Sequence, residues 1–224
     1  MHVKALATVS AVVGALALAA VASAAVIIGT PGDDLLRGTQ EADRISALAG
    51  SDIVYAGAGG DDVRAGEGND AIRAGHGHDT AFGGRGNDML GGGFGHDRLK
   101  GGSDSDWVAG GHGADRVSGN RGDDAVWGNR GRDSLFGGWG ADLVFGGWGP
   151  DELHALAPDG QRDLLDCGLG RDKAYVLRSE RRLTVLVGCE KLYLVDVLTA
   201  DQEEGELADA DVEADAVLTV RMGG

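Results

Sequence analysis

Aspartate recurs every nine residues through the middle of this chain. With Asp34 set as position six of a nine-residue repeat, the register runs unbroken through fourteen repeats, from Gly29 to His154. The aspartates at position six are Asp34, Asp43, Asp52, Asp61, Asp70, Asp79, Asp88, Asp97, Asp106, Asp115, Asp124, Asp133, Asp142 and Asp151. Carboxylates are hard oxygen ligands of the kind that calcium prefers. The array therefore indicates cation binding, with simple solubility as the alternative.

The other positions of the repeat predict a tight turn followed by a short strand. Position four is Gly in twelve repeats, with Glu41 and Asp104 as the exceptions, and position one is always Gly or Ala. Glycine allows positive φ and close approach of backbones, so positions one to six predict a turn. Position eight is aliphatic in every repeat, from Leu36 to Leu153. Because side chains alternate along a strand, positions seven to nine predict a short strand with one residue facing a thin core.

Several repeats match a known nonapeptide pattern. The segments GGRGNDMLG (83–91), GGFGHDRLK (92–100) and GGHGADRVS (110–118) fit G-G-x-G-x-D-x-U-x, the pattern of calcium-binding RTX repeats. The chain therefore resembles the RTX, or hemolysin-type calcium-binding, repeat family over residues 29–154. The resemblance implies an all-β fold, a parallel β-roll (right-handed β-solenoid) of about seven two-repeat turns, with a small C-terminal β cap.

The resemblance also implies where the cofactor, several Ca²⁺ ions, would bind. In that fold calcium lies between successive turns, held by the position-six carboxylates and by turn carbonyls. Glu41 and Asp104 either distort their sites or add ligands. The carbonyl ligands are assigned to the position-four glycines Gly59, Gly68, Gly77, Gly86, Gly95, Gly113, Gly122, Gly131 and Gly140.

Two repeats per turn would divide the aspartates into two rows. One row runs from Asp34 to Asp142 and the other from Asp43 to Asp151, with seven aspartates in each. If each ion requires two stacked aspartates, each row holds at most six ions. Stacked carboxylates repel one another without cations, and one aliphatic residue per repeat is too little to offset the entropy of ordering the chain. We therefore expect calcium to drive folding, with an affinity of about 10⁻⁴ to 10⁻³ M, as in extracellular modules.

Residues 1–24 predict a secretory signal peptide. Lys4 precedes an apolar run over residues 5–21, and Ala22-Ser23-Ala24 places small residues at −3 and −1 of a cleavage site. A membrane anchor is the alternative, although the run is Ala-rich and slightly short for a span. We expect a secreted, extracellular protein with no membrane span in its mature form.

The segments after the repeats predict a cap and a tail. Residues 155–196 contain degenerate repeats and alternating strand patterns, and a stacked coil needs a terminal cap. Cys167 and Cys189 are the two cysteines. In an exported chain they predict a disulfide, with two unpaired buried thiols as the alternative. Residues 197–224 include a strongly acidic stretch and predict a loosely attached acidic tail.

Composition and motifs narrow the function classes. The net charge of −16 argues against a nucleic-acid partner, because phosphate binding needs a basic surface. The sequence contains no G-x-S-x-G, H-E-x-x-H or P-loop motif, and the repeats, cap and tail leave no segment for a catalytic domain. We therefore predict a calcium-binding protein with a structural, adhesive or scaffold role rather than an enzyme.

Two side-chain groups suggest further binding. Histidines in even-numbered repeats would share one edge of the roll, where they either bind zinc or copper or are solvated turn residues: His76, His78, His96 and His112. Aromatic residues gather near the C-terminal end of the roll: Trp127, Phe136, Trp139, Phe145 and Trp148. They either pack under the cap or bind a ligand. The alternative function is therefore an extracellular carbohydrate- or surface-binding protein that uses this aromatic end.

Overall fold

The computed structural model of the protein describes residues 24–196 and 217–218. The predicted signal peptide, apart from Ala24, and nearly all of the predicted acidic tail lie outside these residues. Within them no helix is long and apolar enough to cross a membrane.

The described residues form short strands throughout. The strands are β1 (Val26–Ile28), β2 (Leu35–Arg37), β3 (Arg44–Ala49), β4 (Ile53–Ala58), β5 (Asp62–Glu67), β6 (Ala71–His76), β7 (Thr80–Arg85), β8 (Met89–Phe94), β9 (Arg98–Ser103), β10 (Trp107–Gly113), β11 (Arg116–Arg121), β12 (Ala125–Gly131), β13 (Ser134–Trp139), β14 (Leu143–Trp148), β15 (Glu152–Ala155), β16 (Leu164–Asp166), β17 (Lys173–Leu177), β18 (Val185–Val187), β19 (Lys191–Val195) and β20 (Val217–Leu218).

Successive strands alternate between two parallel sheets. The odd-numbered strands from β1 to β19 lie side by side in sequence order, with β20 added at the end, and the even-numbered strands from β2 to β18 form the second sheet. Strands pair with partners eighteen residues away, as Val63 does with Ala81 and Val54 with Ile72. Two repeats therefore make one turn. The predicted all-β roll is confirmed, and strands outside the fourteen repeats extend the solenoid to about nine turns.

The core lies between the two sheets and takes two residues from most repeats. Position eight is buried throughout, with Val54, Val63 and Val108 at 0% exposure. Position one also points inward, and Ala47 and Ala56 are fully buried. The sequence showed that position one is always small. The sheet geometry supplies the reason, because a residue two places after an inward one on a strand faces the same side.

The strands are longer than the three residues predicted for positions seven to nine. In β5 the strand continues through positions one to three of the next repeat, and Gly66 still pairs with Gly84. Positive φ occurs at positions two and four, as at Gly66 (124°) and Gly68 (128°), and not at position one. The prediction of a turn over positions one to six was therefore wrong in extent: position one is extended backbone, and the stacked turns remain hydrogen-bonded beyond it.

The segment after the repeats continues the same coil. Strands β16 to β19 extend both parallel sheets, with Leu165 paired to Val144 and Ala174 to Leu153. Cys167 and Cys189 form a disulfide between the last turns, so that prediction is confirmed. Strand β20 pairs antiparallel with β19 at the end of its sheet.

Candidate metal centre

Each position-six aspartate is buried and bonded to the turn beside it. All fourteen side chains are at most 8% exposed. Oδ1 of Asp70 accepts the backbone N–H of Asp52 at 2.8 Å, and Oδ1 of Asp88 accepts that of Asp70 at 2.8 Å. The same bond, at 2.8–2.9 Å, joins successive aspartates in both rows. One carboxylate oxygen therefore belongs to the ladder that stacks the turns.

Both rows run on past the last predicted site. Asp163 accepts the backbone N–H of Asp142 at 3.0 Å, and Asp172 accepts that of Asp151 at 2.9 Å. Glu190 ends the second row by accepting the N–H of Asp172 at 2.6 Å. Asp163 and Asp172 follow the same rule after a three-residue insertion, which changes the spacing from eighteen to twenty-one, and Glu190 again lies eighteen residues from Asp172. The Asp163-Leu164-Leu165 motif was the sequence signal that could have placed them.

The second oxygen of most of these carboxylates is buried without a partner. Among the described residues this holds for Oδ2 of Asp52, Asp61, Asp70, Asp79, Asp88, Asp97, Asp106, Asp115, Asp124, Asp133, Asp142, Asp151 and Asp172. A buried, unpaired anionic oxygen is costly unless it gains a cation or a proton. The repetition of this atom through both rows is the main evidence for a metal centre.

In several of the repeats with glycine at position one, a backbone carbonyl shares the space that the unpartnered oxygen faces. A Cβ built on Gly128, at position one, would lie 2.5 Å from Asp133 Oδ2 and 2.6 Å from the carbonyl oxygen of Gly146 in the next turn. A small residue here therefore leaves a gap bordered by a carboxylate oxygen and a carbonyl oxygen. These are the hard donors that calcium takes. Position one was not among the ligands predicted from the sequence.

Most donors to an ion would have to be main-chain oxygens. Within the described ranges, no three His, Cys, Asp or Glu side chains converge on one point. The predicted position-four ligands lie where turns stack most closely: Gly77 has a φ of 137°, and a Cβ there would collide with the carbonyl oxygen of Gly59. Their carbonyls are directed along the stack, and their assignment as ligands stays a prediction.

Burial raises the pKa of the aspartates whose Oδ2 atom is buried without a partner. It raises the pKa of Asp124 to about 8, against the hydrogen bond from the Asp106 backbone N–H, and the neighbouring carboxylates of Asp142 and Asp106 raise it further. The pKa of Asp88 rises to about 7 and that of Asp52 to about 6, again mainly through burial. The rows therefore hold charge poorly by themselves, and a cation would favour the ionised form.

In the first two repeats the Oδ2 atom of the position-six aspartate accepts a hydrogen bond. The backbone N–H of Thr30 donates to Asp34 Oδ2, and that of Thr39 donates to Asp43 Oδ2. The Thr39 hydroxyl also donates to Asp43 Oδ1 at 3.1 Å. Both aspartates were predicted ligands, yet within this geometry they already have hydrogen-bond partners.

Position five carries a ladder that the sequence analysis missed. Asn69 Oδ1 accepts the N–H of Asn87 at 2.8 Å, and Nδ1 of His78 accepts that of His96 at 2.9 Å. The rings of His78 and His96 stack at 5.0 Å. Nδ1 of His96 in turn accepts the N–H of Ala114. These two histidines therefore bridge turns as asparagine does, and that role competes with metal coordination through Nδ1.

The aromatic group divides between the two faces of the roll. Trp127 stacks on Phe145 on the even-numbered sheet, with ring centroids 5.5 Å apart. Phe136 lies on the other sheet and stacks on His154 at 4.3 Å, from which the stack continues to Tyr175 in the cap. Trp139 and Trp148 are exposed on opposite faces. The predicted single aromatic end is therefore two separate surfaces.

Comparison with known families gives one match. The pattern of the RTX calcium-binding nonapeptide repeat matches in four copies, over residues 28–63, 55–90, 91–126 and 118–153. These copies cover the fourteen position-six aspartates from Asp34 to Asp151 and more than half of the chain. A search of curated proteins gives no match.

Proposed function

Because the chain belongs to the RTX calcium-binding nonapeptide repeat family, we propose that it is an extracellular structural protein whose roll folds around calcium ions bound between stacked turns. The observation that carries the proposal is the repeated, buried and unpartnered Oδ2 of the position-six aspartates. Calcium supplies the positive charge that these oxygens lack, and it accepts carbonyl oxygens as further ligands.

The proposed ligands are the aspartates from Asp52 to Asp151, together with Asp172. Carbonyl oxygens at positions one and four complete each coordination sphere. Asp34 and Asp43 are the weakest members of the predicted set, since Thr30 and Thr39 already bond their Oδ2 atoms. The aspartate residues themselves hold the turns in register through Oδ1 and present Oδ2 to the ion.

The chemistry of the cap and of the repeats supports an extracellular compartment. A disulfide between Cys167 and Cys189 is typical of an oxidising environment. Calcium affinities of about 10⁻⁴ to 10⁻³ M are useful outside the cell and leave such a site empty at cytosolic calcium levels. RTX repeats are typical of secreted proteins, and this agrees with the signal peptide predicted over residues 1–24. We propose a structural or adhesive role there, without catalysis.

Circular dichroism of the secreted chain tests this function. In chelator we expect a spectrum dominated by unfolded chain, and millimolar calcium should produce a cooperative rise in β structure. Magnesium is the control cation, because it demands near-octahedral geometry and loses water reluctantly; it should leave the chain unfolded. An identical β spectrum in chelator and in calcium would contradict the proposal.

A further inference from the structure

The outer side of the even-numbered sheet carries an unbroken column of apolar side chains. The column contains the position-seven residue of each strand and its register equivalents in β16 and β18, from Leu35 to Val185. Its members in all nine described strands of this sheet are apolar. Together with the position-nine column beside it, from Arg37 to Val187, it forms what we call the even face. The large members of the apolar column are between 43% and 58% exposed: Leu35, Ile53, Met89, Trp107, Leu143 and Val185.

The odd-numbered sheet shows that the repeat does not require an apolar residue at position seven. The equivalent column of that sheet contains charged register partners, as in the pairs Arg44 with Asp62 and Glu152 with Lys173. Both sheets are built from the same nine-residue repeat, so the difference lies in the side chains alone. A long exposed apolar surface on a chain with a net charge of −16 is typical of a surface that binds another molecule.

The even face is large enough for a stable interface. Nine strands at strand spacing make it about 43 Å long, and strands of about six residues make it about 20 Å wide. Its area of about 860 Å² is close to the area of about 800 Å² that each partner buries in a specific protein complex. Trp107 lies in β10, the middle strand of the nine, and its ring lies 5.0 Å from that of Trp127. Tryptophans near the centre of a face are typical anchors of an interface.

We propose that the even face binds the even face of a second copy of this chain, so that two rolls pack sheet against sheet with their long axes antiparallel. A two-fold axis along β10 makes this interface self-complementary. Each strand of one copy then faces the strand that lies equally far from β10 on its other side. Sheets packed in this way lie about 10 Å apart, with interdigitating side chains. The interface requires the folded roll and uses none of the buried aspartates.

Large and small side chains of the even face are placed so that antiparallel copies fit together. In this arrangement β8 of one copy faces β12 of the other. Trp127 then lies over Gly91 of the second copy, where an added Cβ would meet only one atom, at 4.0 Å. Met89, in the same strand as Gly91, lies over Ala125 of the second copy. Each large side chain therefore enters a space that a small residue leaves open.

The charges of the even face also favour antiparallel rolls. Counted from the N-terminal end, Arg37 and Arg73 lie in its first and third strands, and Asp166 lies in its eighth. Parallel rolls would bring the arginines of both copies to the same end, where like charges repel. Antiparallel rolls place Arg73 against Phe145 of the second copy, an arrangement suited to a cation–π contact. They also bring Asp166 of one copy to the end of the other that carries Arg37.

Analytical ultracentrifugation of the secreted chain in saturating calcium measures this association. We expect a monomer–dimer equilibrium with dimers at concentrations of about 10 µM and above. Trp107→Lys should weaken dimerisation by at least about tenfold, because two ammonium groups would meet at the two-fold axis. Thr80→Lys, at position seven of β7 on the odd-numbered sheet, is the matched control and should leave dimerisation unchanged. Both variants should keep the calcium midpoint of folding, measured by circular dichroism. X-ray scattering extrapolated to infinite dilution still reports the single roll.

Cysteine cross-linking tests the antiparallel arrangement. The two native cysteines are joined in the cap, so an introduced thiol is the reactive one. Ala109→Cys in β10 lies beside the proposed two-fold axis, and a short bismaleimide should join two copies through it. Ala71→Cys in β6 is the matched control. Its two copies would be four strand spacings apart, about 19 Å, and a reagent shorter than this distance should not join them.

Three results would overturn the proposal: a folded monomer in calcium at about 100 µM, equal weakening of dimerisation by Trp107→Lys and Thr80→Lys, or equal cross-linking of the two cysteine variants. A calcium-folded monomer that binds phosphatidylcholine vesicles through the even face would identify a lipid surface, and not a second copy, as the occupant. Loss of the dimer in Trp107→Lys with an unchanged calcium midpoint, together with cross-linking of Ala109→Cys alone, supports the antiparallel dimer.

Discussion

At the scale of single residues, the two oxygens of the position-six carboxylates from Asp52 to Asp151 lie in different surroundings. Oδ1 of Asp88 accepts the backbone N–H of Asp70 at 2.8 Å and so belongs to the stack. Oδ2 of the same residue is buried with no partner. Under the proposed function aspartate has two roles here, the hydrogen bond to the neighbouring turn and the binding of an ion, and asparagine can keep only the first because its side chain has a single acceptor oxygen.

Substitution of Asp88 separates these tasks. Asp88→Asn keeps an acceptor for Asp70 N–H but removes the charge, so the calcium midpoint of folding should rise by about twofold or more. Asp88→Ala should raise the midpoint similarly and also lower the free energy of unfolding in saturating calcium by about 1–3 kcal/mol, because a buried N–H loses its acceptor. Circular dichroism and urea titration measure both quantities.

Glu67→Gln is the control for Asp88. Glu67 is an exposed acid paired with Arg85 at 2.9 Å on the surface, and exposed pairs contribute little. The calcium midpoint of folding of the Glu67→Gln variant should match that of the unmodified protein. Equal midpoints for Asp88→Asn and Glu67→Gln would argue against a metal centre at Asp88.

The raised pKa values of the buried aspartates predict that the metal-free roll becomes more stable as the pH is lowered. Burial raises the pKa of Asp124 to about 8 and that of Asp88 to about 7, above the ordinary value of 3.8. Folding then takes up protons, so this contribution to stability is complete below pH 3.8 and is lost as pH rises through 7 to 8. In chelator, lowering the pH from 8 to 5 should increase β structure measured by circular dichroism.

The same protons compete with calcium. Calcium affinity should therefore fall as the pH is lowered over the same interval, because the ligands must be deprotonated. In Asp124→Asn the acid-induced gain in chelator should be smaller, since one titrating group is gone. Loss of β structure on acidification from pH 8 to 5 would be evidence against this account.

At the scale of elements, the distance between stacked turns decides which residues a strand of the roll can contain. In β8, Gly93 has a φ of 107°, and a Cβ there would collide with the carbonyl oxygen of Gly75. Gly91, two residues earlier in the same strand, has only the Ile72 carbonyl oxygen at 4.0 Å from such a Cβ. Glycine therefore avoids a collision at Gly93, whereas at Gly91 a larger residue has room.

Replacement of these two glycines by alanine should change the free energy of unfolding differently. Gly93→Ala should lower the free energy of unfolding by about 2–4 kcal/mol, because both the positive φ and the contact with backbone are unfavourable. Gly91→Ala should be neutral or stabilise by up to about 1 kcal/mol, since alanine loses less conformational entropy on folding. Urea unfolding in saturating calcium measures both. Equal losses would show that the contact at Gly93 is not decisive.

At the scale of the whole molecule, the roll is a one-dimensional stack. Each strand pairs with the strands eighteen or twenty-one residues away, so order must pass from turn to turn. The unpartnered carboxylate oxygens recur at the same spacing. An ion that binds in one turn would therefore help to order the next turn, and we expect folding to be cooperative along the stack.

X-ray scattering should show this coupling as a change of size. Nine turns at strand spacing form a roll about 43 Å long, and the calcium-bound chain should have a radius of gyration of about 17 Å. Chelation should expand it toward the value for an unfolded chain of this length, about 50 Å. Magnesium at the same concentration is the control. A radius that is unchanged by chelator would mean that calcium does not hold the roll together.

The sequence by itself determined the nine-residue period and the recurring aspartates, and its resemblance to the RTX family implied the roll and the two rows. Position six is always Asp and position eight always aliphatic, and in a repeat one chemical role recurs with the same spacing. The cap disulfide also followed from the presence of two cysteines in a chain that we predict to be exported. These features depend on residues close together in the chain, or on simple counting.

Only the tertiary structure decided what each residue meets eighteen positions away. It showed that one oxygen of the Asp88 carboxylate accepts a hydrogen bond from the neighbouring turn while the other is buried without a partner. It also showed that position one faces the core and that His78 accepts a backbone N–H from the next turn. It showed that the rows of aspartate continue beyond a three-residue insertion to Asp163 and Asp172. It also placed Trp139 and Trp148 on opposite faces of the roll. These outcomes arise from contacts between stacked turns, where the neighbour is set by the coil rather than by the adjacent sequence.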